Sequence, residues 1–139
     1  MVDLSDYRLE VARTVGLDAE RADVGTDRKF DVLLECSGSS SALVPALRRL
    51  RTNGRAALVG LGKSPVEIPF AHLNPQELTI SLVNRYAHTR PTAIALAASG
   101  RVDLDAIVTH RFPLARTQDA LTLARREPNS MKAVIYPNK

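Results

Sequence analysis

The clearest pattern of apolar and polar positions runs from residue 30 to residue 62, FDVLLECSGSSSALVPALRRLRTNGRAALVGLG. Val32, Leu33 and Leu34 are consecutive apolar residues rather than an alternation, which suits a strand buried on both faces, as in a parallel sheet. Ser37-Gly38 break the run, and Ser39, Ser40 and Ser41 offer hydroxyls that can cap a helix. Leu43, Ala46, Leu47 and Leu50 share one helical face, while Arg48, Arg49 and Arg51 fall mostly outside it. Pro45 is tolerated only near a first turn, so the pattern predicts a helix from close to Ser41, stopped by Asn53-Gly54. A second buried strand, Arg55–Val59, ends in Gly60-Leu61-Gly62. Strand, helix and strand form one βαβ unit, with a right-handed crossover expected.

The flanking sequence extends the alternation of elements. Leu9, Ala12 and Val15-Gly16 predict a helix beginning near Ser5 and Asp6, with no strand before it. Residues 18 to 29 are polar and read as a loop, with at best a short strand around Ala22–Val24. Val66–Phe70 alternates between two prolines and reads as an edge strand. His72–Glu77 is a turn or short helix, and Leu78–Val83 is a third buried strand. Thr89, Arg90 and Pro91 open a helix that reaches Gly100. Ile107–Phe112 is a further extended piece, Thr117–Arg126 a last helix, and Met131–Tyr136 a final strand. The order of elements gives an α/β fold class.

Composition narrows the functional classes. The chain has 139 residues, 45% hydrophobic and 24% charged, enough for one domain with a core. No apolar run approaches the roughly 20 residues of a membrane helix, and MVDLSDYRLE has no signal-peptide core. Cys36 is the single cysteine, which excludes an internal disulfide and a multi-cysteine zinc site and fits a reducing cytoplasm. The net charge is +4, but the basic residues are scattered apart from Arg48-Arg49-Leu-Arg51 and Arg125-Arg126. With three Tyr and three Phe for stacking, a solvated face explains them better than nucleic acid does.

Candidate chemistry lies at strand ends. In open α/β sheets ligands bind beyond the carboxyl ends of strands, where small residues expose the backbone. Those ends here are Cys36-Ser37-Gly38, Val59-Gly60-Leu61-Gly62 and Val83-Asn84-Arg85-Tyr86, although glycine there also serves tight turning. Asp3 has two readings: an acid that accepts hydrogen bonds from an adenosine ribose, favouring NAD over NADP, or an acid attracted by a helix N-terminus. Arg85-Tyr86 could meet hydroxyls or phosphate, or be a surface arginine beside a half-buried tyrosine. His72, His88 and His110 share no metal-ligand spacing with each other or with Cys36. A GxGxxG fingerprint, a Walker loop and a nucleophile elbow are all missing.

Several stretches in order, VDLS with Arg8, FDVLLECSG (30–38), NGRAALVGLG (53–62), VNRY (83–86), VTHRFPL (108–114) and KAVIYP (132–137), resemble the zinc-dependent medium-chain dehydrogenases, and most closely their sorbitol (polyol) dehydrogenase branch. The resemblance covers nearly the whole chain and implies a partial Rossmann-type domain, a doubly wound parallel sheet, over residues 1–139. The first strand and glycine-rich turn of that sheet are absent. In the family that strand lies between the one ending at Asp3 and the one at 31–36, so its loss would bare a hydrophobic edge. Residues 131–137 would return toward a catalytic domain that these residues lack, and Thr109–Arg111 would sit near that joint.

The resemblance also implies roles. Asp3 would hold the adenosine ribose of NAD and Arg8 would lie against the adenine. Ser37 and Gly38, Val59, Gly60 and Leu61, and Val83, Asn84 and Arg85 would border the cofactor. Arg85 and Tyr86 would contact hydroxyls of a polyol substrate. No catalytic residue and no metal ligand is expected here, because the family's zinc ligands lie in its N-terminal domain. Val66–Phe70 would pair across a dimer axis, giving a homo-oligomer. The implied activity is hydride transfer between a sugar alcohol and NAD; the alternative is a non-catalytic nucleotide-binding or dimerisation module.

Overall fold

The computed structural model describes residues 1–24, 27–60, 62, 64–85 and 87–138. The chain divides into two compact units, residues 1–25 with 89–139, and residues 26–88. All strand pairs among the described residues are parallel, four ladders in three separate sheets.

The first unit opens with β1 (Val2–Asp3), α1 (Asp6–Thr14) and β2 (Glu20–Arg21). Ser5 caps α1 by accepting the Arg8 N–H, and Gly16 ends it with φ +81°, a conformation open to glycine. Leu9, Ala12 and Ala19 bury together. That contact sets the register of β1 on β2, Val2 opposite Glu20 and Asp3 opposite Arg21. A short strand therefore does precede the helix, contrary to the apolar pattern, and its partner lies at Glu20–Arg21 rather than around Ala22–Val24. The Arg21 guanidinium fastens the pair, bonding Asp6 at 2.8 Å and Asp23 at 2.8 and 2.7 Å. Asp23 is held below the usual carboxylate range by that bidentate bond.

The second unit carries β3 (Phe30–Glu35), α2 (Ser40–Arg48), β4 (Leu50–Leu58), α3 (Phe70–Leu73) and β5 (Thr79–Leu82), in sheet order β3-β4-β5. One sheet face, with Leu33, Ala56, Leu58 and Ile80, packs against Leu43 and Leu47 of α2, Leu50 and Leu73. The predicted βαβ unit is present, with two corrections. Pro45 falls inside α2 rather than in its first turn, so Ser41 loses its bond from residue 45 in a helix of nine residues. Asn53-Gly54 is not the helix stop. Asn53, at φ +60°, sits in β4 where the register jumps from Phe30↔Leu50 to Val32↔Arg55. A bulge there takes up the extra residues, and a Cβ on Gly54 would lie 2.8 Å from the Arg51 carbonyl oxygen.

Val66–Phe70, expected as an edge strand, joins no ladder among the described residues. Val66 and Ile68 pack on the core instead, and Phe70 opens α3 with 71% of its surface exposed. The basic cluster is engaged in packing: the Arg28 and Arg49 guanidinium groups lie 5.6 and 4.9 Å from the Phe30 ring centre, and Arg51 pairs with Asp31 at 2.7 Å.

The rest of the first unit comprises α4 (Arg90–Ala98), β6 (Val108–Pro113), α5 (Thr117–Thr122) and β7 (Lys132–Tyr136). The last two strands pair with each other, with α5 packed on both. The Thr109 hydroxyl accepts the Met131 N–H and donates to the Lys132 carbonyl. By contrast α4 buries none of its residues, and Ile94 is 69% exposed. Among the described residues no helix is long and apolar enough to cross a membrane.

Two outcomes follow from this packing. Leu47 is fully buried at the centre of the larger cluster. Leu47→Ala is expected to cost about 2–5 kcal/mol of stability, read from urea denaturation. Among the described residues β3 pairs only with β4, and Val32 and Leu34 are 52% and 66% exposed. Leu34→Lys is expected to lower concentration-dependent association in light scattering while leaving the circular dichroism unchanged, because a charge on an open edge strand blocks further pairing.

Candidate functional site

The site grows from the carboxyl ends of β3, β4 and β5, where glycines and short polar residues replace the apolar core. The Glu35 carbonyl accepts the N–H groups of both Val59 and Gly60, at 2.7 and 2.8 Å, and the Leu58 carbonyl accepts the Val83 N–H at 3.0 Å. These bonds draw the three strand ends together. Gly38 then reverses the chain with φ +65° before α2 begins. A Cβ on Gly60 would lie 2.1 Å from the Gly38 nitrogen and 2.7 Å from Glu35 Oε2, so only glycine lets the two strand ends approach this closely.

Between them lies a cleft of about 390 Å³. Leu43, Leu58 and Val66 supply an apolar floor; Gly38, Gly60 and Gly62 line its wall, and Ser39, Ser64 and Asn84 its polar rim, with the exposed Leu82 at its edge. The floor suits a flat, weakly polar ring and the rim supplies hydrogen-bonding groups around it.

Sequence reasoning placed Gly38, Gly60, Val83 and Asn84 at this site, and all four line the cleft. Ser37 and Val59 stand beside it in the strand-end turns, without lining it. Arg85 follows in the turn after β5 at φ +62°, exposed to solvent and outside the lining. Leu61 and Tyr86 lie outside the described residues. Glu35 was missed. Its side chain is buried, at 8% exposure, and its carboxylate accepts the Ser37 hydroxyl, the Ser37 N–H at 2.8 Å and the Gly38 N–H at 3.1 Å. The signal for it was an acid closing an otherwise apolar strand directly before Ser-Gly.

Asp3 and Arg8 form a second, separate group in the first unit. Asp3 ends β1; its Oδ1 accepts the Ser5 N–H at 2.9 Å and its Oδ2 lies 3.8 Å from the Arg8 guanidinium. The first turn of α1 brings the two side chains together. One carboxylate oxygen is thus used in the turn, and the other faces a loosely held, half-exposed arginine.

The donor set does not fit zinc. Cys36 is exposed, His72 belongs to α3, His88 to the turn after β5, and His110 to β6, where its Nδ1 meets the Thr109 hydroxyl at 3.0 Å. Among the described residues no three His, Cys, Asp or Glu side chains converge on a metal position.

Comparison with known proteins now adds to this geometry. Residues 1–99 match the zinc-binding dehydrogenase family model. The sorbitol dehydrogenase of Bacillus subtilis (strain 168) is 36% identical over an alignment that takes in 100% of this chain and 43% of the relative. In structure, the 2R,3R-butanediol dehydrogenase from Bacillus subtilis matches 99% of this chain and 43% of its own, with a TM-score of 0.87 and 21% identity. An alcohol dehydrogenase from E. coli CFT073, complexed with cofactor NADH, matches 96% of this chain and 43% of its own, with a TM-score of 0.85 and 22% identity. The fold is therefore a partial Rossmann-type α/β arrangement, as the motifs implied. The chain spans less than half the length of these relatives, and with its family model, its strand order and its sorbitol dehydrogenase homologues it belongs to the zinc-binding dehydrogenase family.

Proposed function

We propose that these residues are the cofactor-binding part of an NAD-dependent polyol or secondary-alcohol dehydrogenase, which passes hydride between a sugar alcohol and NAD. The observation that carries the reading is the cleft at the joined carboxyl ends of β3, β4 and β5, walled by glycine and floored by leucine and valine. When bound, the nicotinamide ring supplies the hydride acceptor. Gly60 and Gly38 would let the ring approach the backbone, the apolar floor would keep water from it, and Asn84 would offer it a hydrogen-bonding partner. Arg85, and Tyr86 after it, are read as contacts to substrate hydroxyls. No residue of this chain is assigned a chemical step, and none is routed through zinc, whose ligand set is absent among the described residues.

Asp3 and Arg8 are read as the contacts to the adenosine half. A carboxylate at the end of β1 accepts ribose hydroxyls and repels a 2′-phosphate. Arg21, opposite Asp3 in the ladder, would be the natural cation for such a phosphate, but Asp23 and Asp6 already claim it and raise its affinity for its proton. Both facts support the reading of NAD over NADP.

A second reading is a nucleotide-binding or dimerisation module without turnover. Val66–Phe70 is the proposed dimer contact: it joins no described ladder and presents Phe70 to solvent. Size-exclusion chromatography of Phe70→Lys against the wild type tests it, and a dimer that survives the substitution would remove that contact.

The cofactor reading is tested by titration. The chain has no tryptophan, so NADH emission is read directly, without transfer from the protein. NADH is expected to bind at least about tenfold more tightly than NADPH, and Asp3→Ser is expected to narrow that gap. Binding of neither nucleotide would end the proposal. Steady reduction of NAD by sorbitol with this chain alone would instead overturn the assignment of no chemical step to its residues.

A further inference from the structure

Glu35 has no part in the function proposed above, yet it is the buried acidic side chain of the cleft. An ionised side chain is costly to bury unless its oxygens are hydrogen-bonded, and a carboxylate is usually paired with a cation. Here the bonds come from Ser37 and Gly38 alone, and no ion pair to Glu35 is found among the described residues. Its oxygens accept the backbone N–H groups of Ser37 and Gly38. The charge is thus held in place by backbone and hydroxyl dipoles, with no counter-ion among the described residues, and is set at the wall of the cleft.

Two consequences follow. The Ser37 and Gly38 N–H groups face the carboxylate, and the Ser39 N–H turns to the Ser37 hydroxyl at 3.1 Å. The turn before α2 therefore spends its donors internally instead of forming an anion-binding nest. A phosphate is unwelcome there and a positive or neutral ring is favoured. The oxidised nicotinamide ring carries a positive charge and the reduced ring carries none.

We propose that Glu35 sets the redox preference of the cleft: its negative charge stabilises the oxidised nicotinamide relative to the reduced one, while its carboxylate positions the Cys36–Gly38 turn. The proposal rests on the cleft being the nicotinamide end of a cofactor site. Steric closeness supports the positioning half, since Glu35 Oε2 leaves no room for a side chain at Gly60.

The charge and the turn can be separated by two substitutions in the full chain. Glu35→Gln keeps the length and one oxygen for the turn but removes the charge. Glu35→Asp keeps the charge and shortens the reach. Calorimetric titration with NAD and with NADH gives the ratio of their affinities. Hydrogen exchange, followed by mass spectrometry on peptides covering residues 36–39, reads the turn without any ligand.

Glu35→Gln is expected to weaken NAD about tenfold relative to NADH, the scale of one charge pair several ångström apart at a partly solvated site, with exchange nearly unchanged. Glu35→Asp is expected to keep the ratio and speed exchange about tenfold, as bonds to a charged acceptor are lost. A Gln variant that weakens both nucleotides equally, or neither, would overturn the electrostatic role. An Asp variant with unchanged exchange would overturn the positioning role. A wild-type chain that binds neither nucleotide would overturn the cofactor reading and the redox preference together, while exchange alone would still decide the turn.

Discussion

The bifurcated bond from the Glu35 carbonyl to the N–H groups of Val59 and Gly60 is the constraint on which the second unit depends. It terminates the β3–β4 ladder and fixes the spacing of the two strand ends. That spacing is so short that residue 60 must be glycine, and it creates the wall of the cleft. The remainder of the unit supports this point. Leu43 and Leu47 of α2 press on the same two strands from one side, and β5 extends the ladder so that Val83 and Asn84 reach the cleft. A parallel sheet normally has helices on both faces. Here one face is covered, while Val32, Leu34 and Val59 remain exposed on the other.

The family resemblance puts one further strand between the strand ending at Asp3 and β3. In the structure β1 and β3 share no ladder, and β1-β2 and β3-β4-β5 are separate sheets. Two strands of two residues each cannot supply a stable sheet on their own. The first of these sheets is accordingly tied down by the Leu9–Ala12–Ala19 contact and by the bonds of Arg21 rather than by its own ladder. The α4 helix has an apolar sequence with nothing buried.

Much of this was legible in the sequence because consecutive apolar residues bounded by glycine and serine leave few alternatives. The central strands, the helix between them and the position of the cleft were all readable from residues 30 to 62. Each misreading has its own physical cause. Asn53-Gly54 has the chemistry of a helix stop and of a β-bulge alike, because both need a left-handed backbone, and only the register of β3 on β4 decides between them. Val66 and Ile68 alternate as a strand would, but two residues on one side can pack on a core without any ladder. The two-residue strands around Asp3 and Glu20 are too short to leave any periodicity. Glu35 was hidden for a different reason: at the end of a buried strand an acid reads as the strand's polar boundary, and its burial depends on the turn that folds back over it.

Asp3 and Glu35 illustrate why residue type alone cannot assign a role. Both are acids at the carboxyl end of a parallel strand, and both accept the backbone N–H of the residue two positions on. Asp3 is partly exposed and faces a cation, so its free oxygen can exchange Arg8 for a hydroxyl partner at small cost. Glu35 is buried, and both its oxygens are engaged by the turn, so it cannot exchange partners and can act only through its field and through the turn it holds. The first acid is therefore suited to recognise a ligand by contact. The second is suited to bias which charge state of a ligand is held, because its oxygens are already committed to the turn.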